Sequence, residues 1–121
     1  MFQEVKMKQA ERSFVVAANL GLSILSLEDI AEVIRQSYGS SGLLLTQQDV
    51  APEFFDLHSG WAGELFQKCT NYQVRLALVL PHPERYGERV SELAYEHRRH
   101  KLICFFDTDA GARAWLDTMQ V

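Results

Sequence analysis

Residues 60–80 read GWAGELFQKCTNYQVRLALVL, and this stretch decides the fold class. Its first half places apolar side chains at helical spacing on one face, which indicates an amphipathic helix. These side chains belong to Trp61, Ala62, Leu65, Phe66, Cys69 and Tyr72. Its second half, residues 74–80, is apolar apart from Arg75 and does not alternate with polar residues, as expected of a strand covered on both faces. Such strands are typical of a parallel sheet between helices, and Trp61 and Phe66 are expected to be core residues.

The same alternation continues on both sides of this stretch. Two short strand-like runs, residues 2–8 and 14–19, precede it and indicate an antiparallel pair. The other predicted elements are a helix between Ser26 and Gly39, a strand at 42–46, a helix at 86–99, a strand at 102–106 and a final helix capped by Asp107 or Thr108. We therefore predict an α/β fold with the order ββαβαβαβα. It has a sheet of about five strands, mostly parallel with an N-terminal antiparallel pair, and four main helices on both faces. A chain of 121 residues is expected to form one domain, residues 1–121.

Composition and charge argue against several classes of function. The formal net charge is −4, whereas a nucleic-acid-binding surface needs concentrated positive charge, so no nucleic-acid partner is expected. The basic run at residues 97–101 is interpreted as the end of a helix, where cations face the negative end of the helix dipole. No stretch has the length of a membrane span and no signal peptide is visible, so we expect a cytoplasmic protein without membrane contact.

Cysteine and histidine usage indicates neither a disulfide nor a metal centre. Cys69 and Cys104 lie among apolar residues and are expected to be buried, reduced thiols. The four histidines are too scattered along the chain to suggest a metal site. No motif points to a cofactor.

The carboxyl ends of the predicted parallel strands bring polar residues to one edge of the sheet, which is the functional edge in folds of this class. The loops expected there are residues 47–59, 81–85 and 107–109. Ser59 stands at the start of the central helix, where its hydroxyl can cap a free backbone amide and where open amides could also stabilise a phosphoryl group. Gly60 and Gly63 follow it, and glycine early in a helix usually signals close backbone approach.

The order of elements resembles the STAS fold of bacterial anti-sigma-factor antagonists. In that family a serine or threonine at the entrance of the helix after the third strand is phosphorylated by an anti-sigma-factor kinase, and Ser59 stands at the equivalent place. The match is one of position, because the family usually has an acid directly before a serine pair, whereas Leu57 and His58 separate Asp56 from Ser59.

A closer resemblance covers residues 22–116 and is to an uncharacterised group of small bacterial STAS-like domains. It rests on PEFFDLHSGWAGELFQKCTNY at residues 52–72, RLALVL at 75–80, LAYEH at 93–97 and ICFFDTDAGARAWL at 103–116. No activity is implied by that group, so the resemblance supports the fold.

The first hypothesis of function is a non-enzymatic regulatory or protein-interaction module of the STAS type. The resemblance implies a protein partner, such as a kinase or an anti-sigma-like regulator, and a phosphorylation or anion site at Ser59. The candidate interaction surface consists of Asp56, His58, Ser59, Gly60, Gly63 and Glu64.

The alternative is a small-molecule-binding domain or weak enzyme with a pocket at the carboxyl edge of the sheet. The candidate lining residues are Thr46, Asp49, Ser59, His82, Asp107 and Thr108. A Ser-His-Asp arrangement can be drawn with Asp56 and His58 beside Ser59, and with His82 and Asp107 at the same edge. The chain has no GxSxG nucleophile elbow, however, and no catalytic residue is assigned. A pocket of ligand size would favour this alternative, whereas an exposed Ser59 on a flat or convex edge would favour the first hypothesis.

Overall fold

A computed structural model of the chain describes residues 14–118, and their elements follow the order βαβαβαβα. The strands are β1 Val15–Val16, β2 Leu43–Thr46, β3 Leu76–Val79 and β4 Ile103–Phe106. The helices are α1 Asp29–Ser37, α2 Trp61–Tyr72, α3 Glu88–Glu96 and α4 Asp109–Asp117. Short 3-10 turns lie at Ala17–Leu20, Gln47–Asp49, Pro52–Phe55, Leu57–Ser59 and Pro83–Tyr86. None of the helices described in this range is long and apolar enough to cross a membrane.

The strands form one parallel sheet of four strands in the order β1-β2-β3-β4. The prediction of an α/β fold with four helices and a mainly parallel sheet is therefore confirmed, including the parallel pairing of its last three strands. The first strand of the predicted antiparallel pair, residues 2–8, lies outside the described residues. The prediction for residues 14–19 is too long, because a 3-10 turn replaces the strand from Ala17 and ends at Gly21, whose φ is 69°.

The order of the strands determines how the helices are shared between the two faces. Each strand pairs with the next one in sequence, and right-handed connections between such neighbours place their helices on the same face. The larger core cluster accordingly unites α1, α2 and α3 with alternate residues of the strands. Those strand residues are Leu43, Leu45, Leu76, Leu78, Ile103 and Phe105. Trp61 and Phe66 are half-buried and pack against this cluster, so their predicted role in packing agrees with the contacts.

The opposite face is covered by α4. Ala112 and Leu116 are fully buried against Leu44, Ala77 and Val79. Phe14, Val16, Phe106 and Trp115 pack around them and are half-buried. The helices therefore lie on both faces, as predicted, and are divided three to one.

Both cysteines are buried and unpaired, as the sequence predicts. Cys69 has no exposed surface, and burial raises the pKa of its thiol to about 12. The Cys104 thiol donates to the Arg98 carbonyl at 3.0 Å, and burial raises its pKa as well.

Arg75, which interrupts the apolar run before β3, attaches the end of α4 to the sheet. Its guanidinium donates to the carbonyl oxygens of Trp115 at 2.9 Å, Leu116 at 3.3 Å and Ser41 at 3.3 Å. The same group lies 4.1 Å from the centroid of the Trp115 ring, which adds a cation–π contact. The Trp115 and Leu116 carbonyls belong to the last turn of α4, where helical oxygens lack intrahelical partners and the helix dipole is negative, whereas Ser41 precedes β2. Burial lowers the pKa of Arg75.

A close backbone contact lies beside this attachment. A Cβ atom at Gly42 would stand only 2.5 Å from Leu116 Cδ2 and 3.1 Å from the Arg75 carbonyl oxygen. The start of β2, the start of β3 and the end of α4 therefore meet where only glycine fits.

We predict that Arg75→Met destabilises the protein by roughly 1–3 kcal/mol, because the carbonyls in the last turn of α4 lose their charged donor while the side-chain length is kept. Urea unfolding should show a lower midpoint with an unchanged m value. Arg89→Met is the matched control, because Arg89 is exposed on α3, and its effect should stay within about 0.5 kcal/mol. Equal midpoints for the two variants would show that Arg75 does not hold α4.

Candidate functional site

The connections at the carboxyl ends of the strands form the edge at which the sequence places its candidate residues. After β2 the chain makes the 3-10 turns Gln47–Asp49, Pro52–Phe55 and Leu57–Ser59 before α2 begins. After β3 it makes the turn Pro83–Tyr86, and after β4 only Asp107 and Thr108 precede α4. The backbone between β2 and α2 therefore consists largely of consecutive 3-10 turns.

Aromatic contacts connect the turns of this edge to one another. Phe54 and Phe55 are buried, and their rings meet edge to face at 5.3 Å. Phe55 also stacks on Tyr86 with ring centroids 4.2 Å apart, and the Tyr86 hydroxyl donates to Gln47 Oε1 at 3.1 Å. The turn after β3 is thereby fastened to the turns that lead to Ser59.

Ser59 is exposed, and its hydroxyl connects the turn before α2 with the helix itself. Oγ donates to the Glu53 carbonyl at 2.7 Å and accepts from the Trp61 amide at 3.2 Å. The backbone amide of Ser59 donates to the Asp56 carbonyl at 2.8 Å. Ser59 thus satisfies an amide of the first helical turn, as the sequence indicates, although the residue at the N-cap position is Gly60.

The expected close backbone approach is wrong for both glycines that follow, and the backbone conformation requires glycine at only one of them. A Cβ atom at Gly60 or at Gly63 would have no neighbour within 4 Å. Gly60 adopts φ 85° and ψ −4°, a left-handed conformation that favours glycine and turns the chain into α2. Gly63 has ordinary helical geometry and faces open space, so neither conformation nor packing requires it.

The remaining members of the candidate surface are solvated. Asp56 Oδ1 accepts from the His58 amide at 3.1 Å, and the His58 ring lies 3.9 Å from the same oxygen with both side chains mostly exposed. Glu64 pairs with Lys68 at 3.3 Å on the outer side of α2. We call the set Asp56, His58, Ser59, Gly60, Gly63 and Glu64 the Ser59 surface.

Thr46 and Asp49, two of the candidate pocket residues, satisfy each other and the backbone. Asp49 Oδ2 accepts from the Thr46 amide at 2.8 Å and from the Thr46 hydroxyl at 3.0 Å. Thr46 Oγ1 in turn accepts from the Gln48 amide at 3.2 Å. Their hydrogen-bonding groups therefore stabilise the turn after β2.

Two further candidates lie apart from that turn. Thr108 is the N-cap of α4, where its hydroxyl accepts from the Gly111 amide at 3.0 Å, so of the two predicted caps Thr108 is the correct one. His82 is exposed, with its ring 3.5 Å from a Glu84 carboxylate oxygen.

A hollow of about 540 Å³ does exist at this edge, between the ends of β3 and β4 and helix α3. Asp107 is the one predicted pocket residue that lines it; Thr46, Asp49, Ser59, His82 and Thr108 do not. Its lining residues are Leu80, Pro81, Pro83, Glu84, Ser91, Ala94, Tyr95, Arg98, Phe105, Phe106 and Asp107. We call this space the Asp107 hollow. Its volume falls in the range of ligand pockets, although it is open to solvent and carries charges of both signs.

The basic run after α3 has a role that the sequence analysis missed. The predicted helix at residues 86–99 is too long at both ends, because α3 runs from Glu88 to Glu96. The basic run therefore follows the helix, and the chain there covers the edge strand β4. The His97 carbonyl accepts from the Phe105 amide at 3.2 Å, and His100 Nδ1 accepts from the amides of Leu102 and Ile103, each at 3.1 Å. Edge strands with free amides invite pairing with other chains, and these contacts occupy two amides of β4 and that of Leu102 directly before it.

Within residues 14–118, no group of three or more His, Cys, Asp or Glu side chains is arranged to hold a metal ion.

Comparison with known proteins identifies one family. The model of the family described as "Domain of unknown function (DUF4180)" matches residues 9–116, a range that includes all four strands and nearly all of α4. No curated protein and no solved structure matches the chain. The match does not link the family to STAS domains.

We predict that alanine at the two glycines of the Ser59 surface changes stability in opposite directions. Gly60→Ala should cost about 1–2 kcal/mol, because a Cβ atom disfavours the left-handed conformation. Gly63→Ala should be neutral or stabilise by up to about 1 kcal/mol, because alanine is the better helix former and has room. Urea unfolding measures both, and a gain for Gly60→Ala would contradict the assigned turn.

Proposed function

The chain belongs to the family described as Domain of unknown function (DUF4180), and we propose that it is a non-enzymatic regulatory or protein-interaction module of the STAS type, switched by phosphorylation at Ser59. The Ser59 surface is the binding surface in this proposal, and its partner is a protein such as a kinase or an anti-sigma-like regulator. The observation that carries it is the position of an exposed hydroxyl between the Glu53 carbonyl and the first amide of α2.

The geometry around Ser59 supports a switch because the hydroxyl proton is already used. Phosphorylation would transfer a phosphoryl group from a nucleoside triphosphate to Oγ, breaking the terminal P–O–P bond and releasing the hydroxyl proton and a nucleoside diphosphate. Oγ could then no longer donate to the Glu53 carbonyl, so the contact that fastens the turn Pro52–Phe55 to the start of α2 would be lost. The new group would carry a charge of about −1.5 to −2 at neutral pH.

Two opposing electrostatic effects would then act on the phosphoserine. The amino end of α2, a helix of 12 residues, offers amides and a positive dipole end to the phosphate. Asp56 and Glu53, both exposed, repel it. A modification that strengthens contacts to α2 while weakening those to the preceding turns changes the shape and charge of the Ser59 surface together.

The arrangement supports a binding role over hydrolysis. A serine nucleophile needs a base that accepts its proton, whereas Ser59 Oγ donates to a backbone carbonyl. The His58 ring has a carboxylate oxygen of Asp56 as its nearest ionic neighbour, and that contact is long and solvated.

The Asp107 hollow supports a second candidate, a small-molecule-binding domain or weak enzyme. The hollow is large enough for a metabolite and lies at the edge where ligands bind in folds of this class. The first candidate is preferred because five of the six residues expected to line such a pocket lie elsewhere, and two of those five stabilise one turn.

We predict that Ser59→Asp changes partner binding while stability stays within about 1 kcal/mol of the wild type, because the lost hydrogen bond to Glu53 is offset by a charge at the helix N-terminus. Ser59→Ala should cost about 1 kcal/mol and keep the binding of the unmodified protein. The measurement is affinity capture from extract of the source cells, with mass spectrometry of Ser59 in the endogenous protein.

Gln48→Asp is the matched control for this experiment, because it adds one negative charge to an exposed turn at the same edge. Partners that respond to Ser59→Asp and not to Gln48→Asp, together with a phosphorylated Ser59, support the switch. If all variants capture the same partners and Ser59 is unmodified, the switch is refuted and Ser59 has only a structural role.

The second candidate predicts saturable binding of a small molecule that is weakened by Asp107→Asn and unaffected by Ser59→Ala. Thermal-shift measurements on a metabolite panel, followed by titration calorimetry of each hit, would measure this. Compounds that bind the wild type and Asp107→Asn with equal affinity would exclude the Asp107 hollow as their site.

A further inference from the structure

Helices α1 and α2, which lie on the same face of the sheet, leave a groove between them. It lies along the carboxyl-terminal half of α2, away from the Ser59 surface at the start of that helix. The groove has a volume of about 340 Å³. Its lining residues are Ala31, Ile34, Arg35, Tyr38, Lys68 and Tyr72, and we call it the Tyr groove. It shares no residue with the Ser59 surface or with the Asp107 hollow.

The shape of the Tyr groove comes from one small residue and two aromatic ones. Ile34 is buried and Ala31 is small, so no bulky side chain of α1 fills the space between the helices. Tyr38 and Tyr72 stand at the ends of α1 and α2 with 65% and 50% of their surfaces exposed. Their rings meet edge to face, with centroids 6.0 Å apart and planes at 87°. Two such rings beside an apolar floor offer an aromatic ligand both stacking and edge contacts.

The charges that line the Tyr groove are all positive. Arg35 and Lys68 line it, and no carboxylate does. Each cation is paired with a glutamate of its own helix, Arg35 with Glu32 and Lys68 with Glu64. Such exposed pairs contribute little free energy, so either cation can turn to a bound anion at small cost. In a chain with a net charge of −4, the charged side chains that line this groove are thus two cations, and they lie beside an apolar floor.

We propose that the Tyr groove is a binding site for small aromatic carboxylates. The ring lies on Ala31 and Ile34 against the two tyrosine rings, and the carboxylate lies at the rim beside Arg35 and Lys68. The volume is at the lower end of the range for ligand pockets, which fits a molecule of one or two rings. A protein partner fits less well, because stable interfaces take about 20–30 residues on each side and the groove offers six.

The test is an NMR titration of the ¹⁵N-labelled chain with indole-3-acetate, compared with the neutral indole-3-ethanol and the cationic tryptamine. We expect saturable shifts of the backbone amides of Ala31, Ile34 and Tyr72 with the carboxylate. The alcohol should bind about two- to fivefold more weakly, the factor that an exposed ion pair contributes. The amine should bind more weakly still.

Variants separate the aromatic from the ionic contribution. Tyr72→Ala should lower the affinity for all three compounds, and Lys68→Gln should reduce the preference for the carboxylate over the alcohol. Leu25→Ala is the control, because Leu25 is a 66% exposed apolar residue that lines neither the Tyr groove nor the Asp107 hollow. It should leave every affinity unchanged, and amide spectra of each variant verify that it is folded.

Three results would overturn the proposal. They are shifts that do not saturate at millimolar concentration, equal binding of the carboxylate, the alcohol and the amine, and an undiminished affinity in folded Tyr72→Ala. Shifts confined to α3 and the end of β4 would likewise exclude the Tyr groove. None of these results depends on whether Ser59 is phosphorylated.

Discussion

The burial of strand β3 on both faces is the constraint on which the rest of the structure depends. All four of its residues are buried, and β2 and β4 flank it in parallel register. No polar side chain can be accommodated in such a strand without a buried partner, so its sequence is restricted to apolar residues. Polar side chains are therefore concentrated at the two ends of the sheet, which is where Arg75 and the candidate residues of the carboxyl edge lie.

Most of the polar side chains at the carboxyl edge form hydrogen bonds with backbone amides, which leaves few of them available to bind a ligand or to take part in catalysis. Thr46, Asp49 and Thr108 carry the side-chain oxygens that a binding pocket would use, yet each accepts a hydrogen bond from a nearby amide. Ser59 differs from them in that its exposed hydroxyl contacts two separate segments, the turn at Glu53 and the start of α2. A change in its chemistry alters a connection between segments, whereas a change at Thr108 alters one helix end.

Local patterns in the sequence predict the helices and strands. They do not predict the features that depend on contacts between residues far apart in the chain. The spacing of Trp61, Leu65 and Cys69 and the unbroken run before Pro81 suffice for α2 and β3, because each element is held by its own apolar face. The role of Arg75 could not be predicted, because its carbonyl partners lie about forty residues away in α4. The covering of β4 by the chain after α3 and the Tyr groove likewise depend on how separate elements are placed together. Gly60 and Gly63 look alike in sequence, and only the backbone angles distinguish them.

The uneven division of helices determines the order in which the two faces of the sheet are covered while the chain is synthesised. Each helix on the crowded face precedes the strand that completes its βαβ unit, so that layer can assemble while the chain is still growing. Within residues 14–118, α4 is the helix that covers the opposite face, and it follows the last strand, so Leu44, Ala77 and Val79 lack this helical cover until α4 has been made. A nascent chain halted before residue 109 would expose a surface suited to aggregation or to chaperone binding. Arg75 and Gly42, which contact the end of α4 in the folded protein, precede that helix in the chain and are synthesised before it.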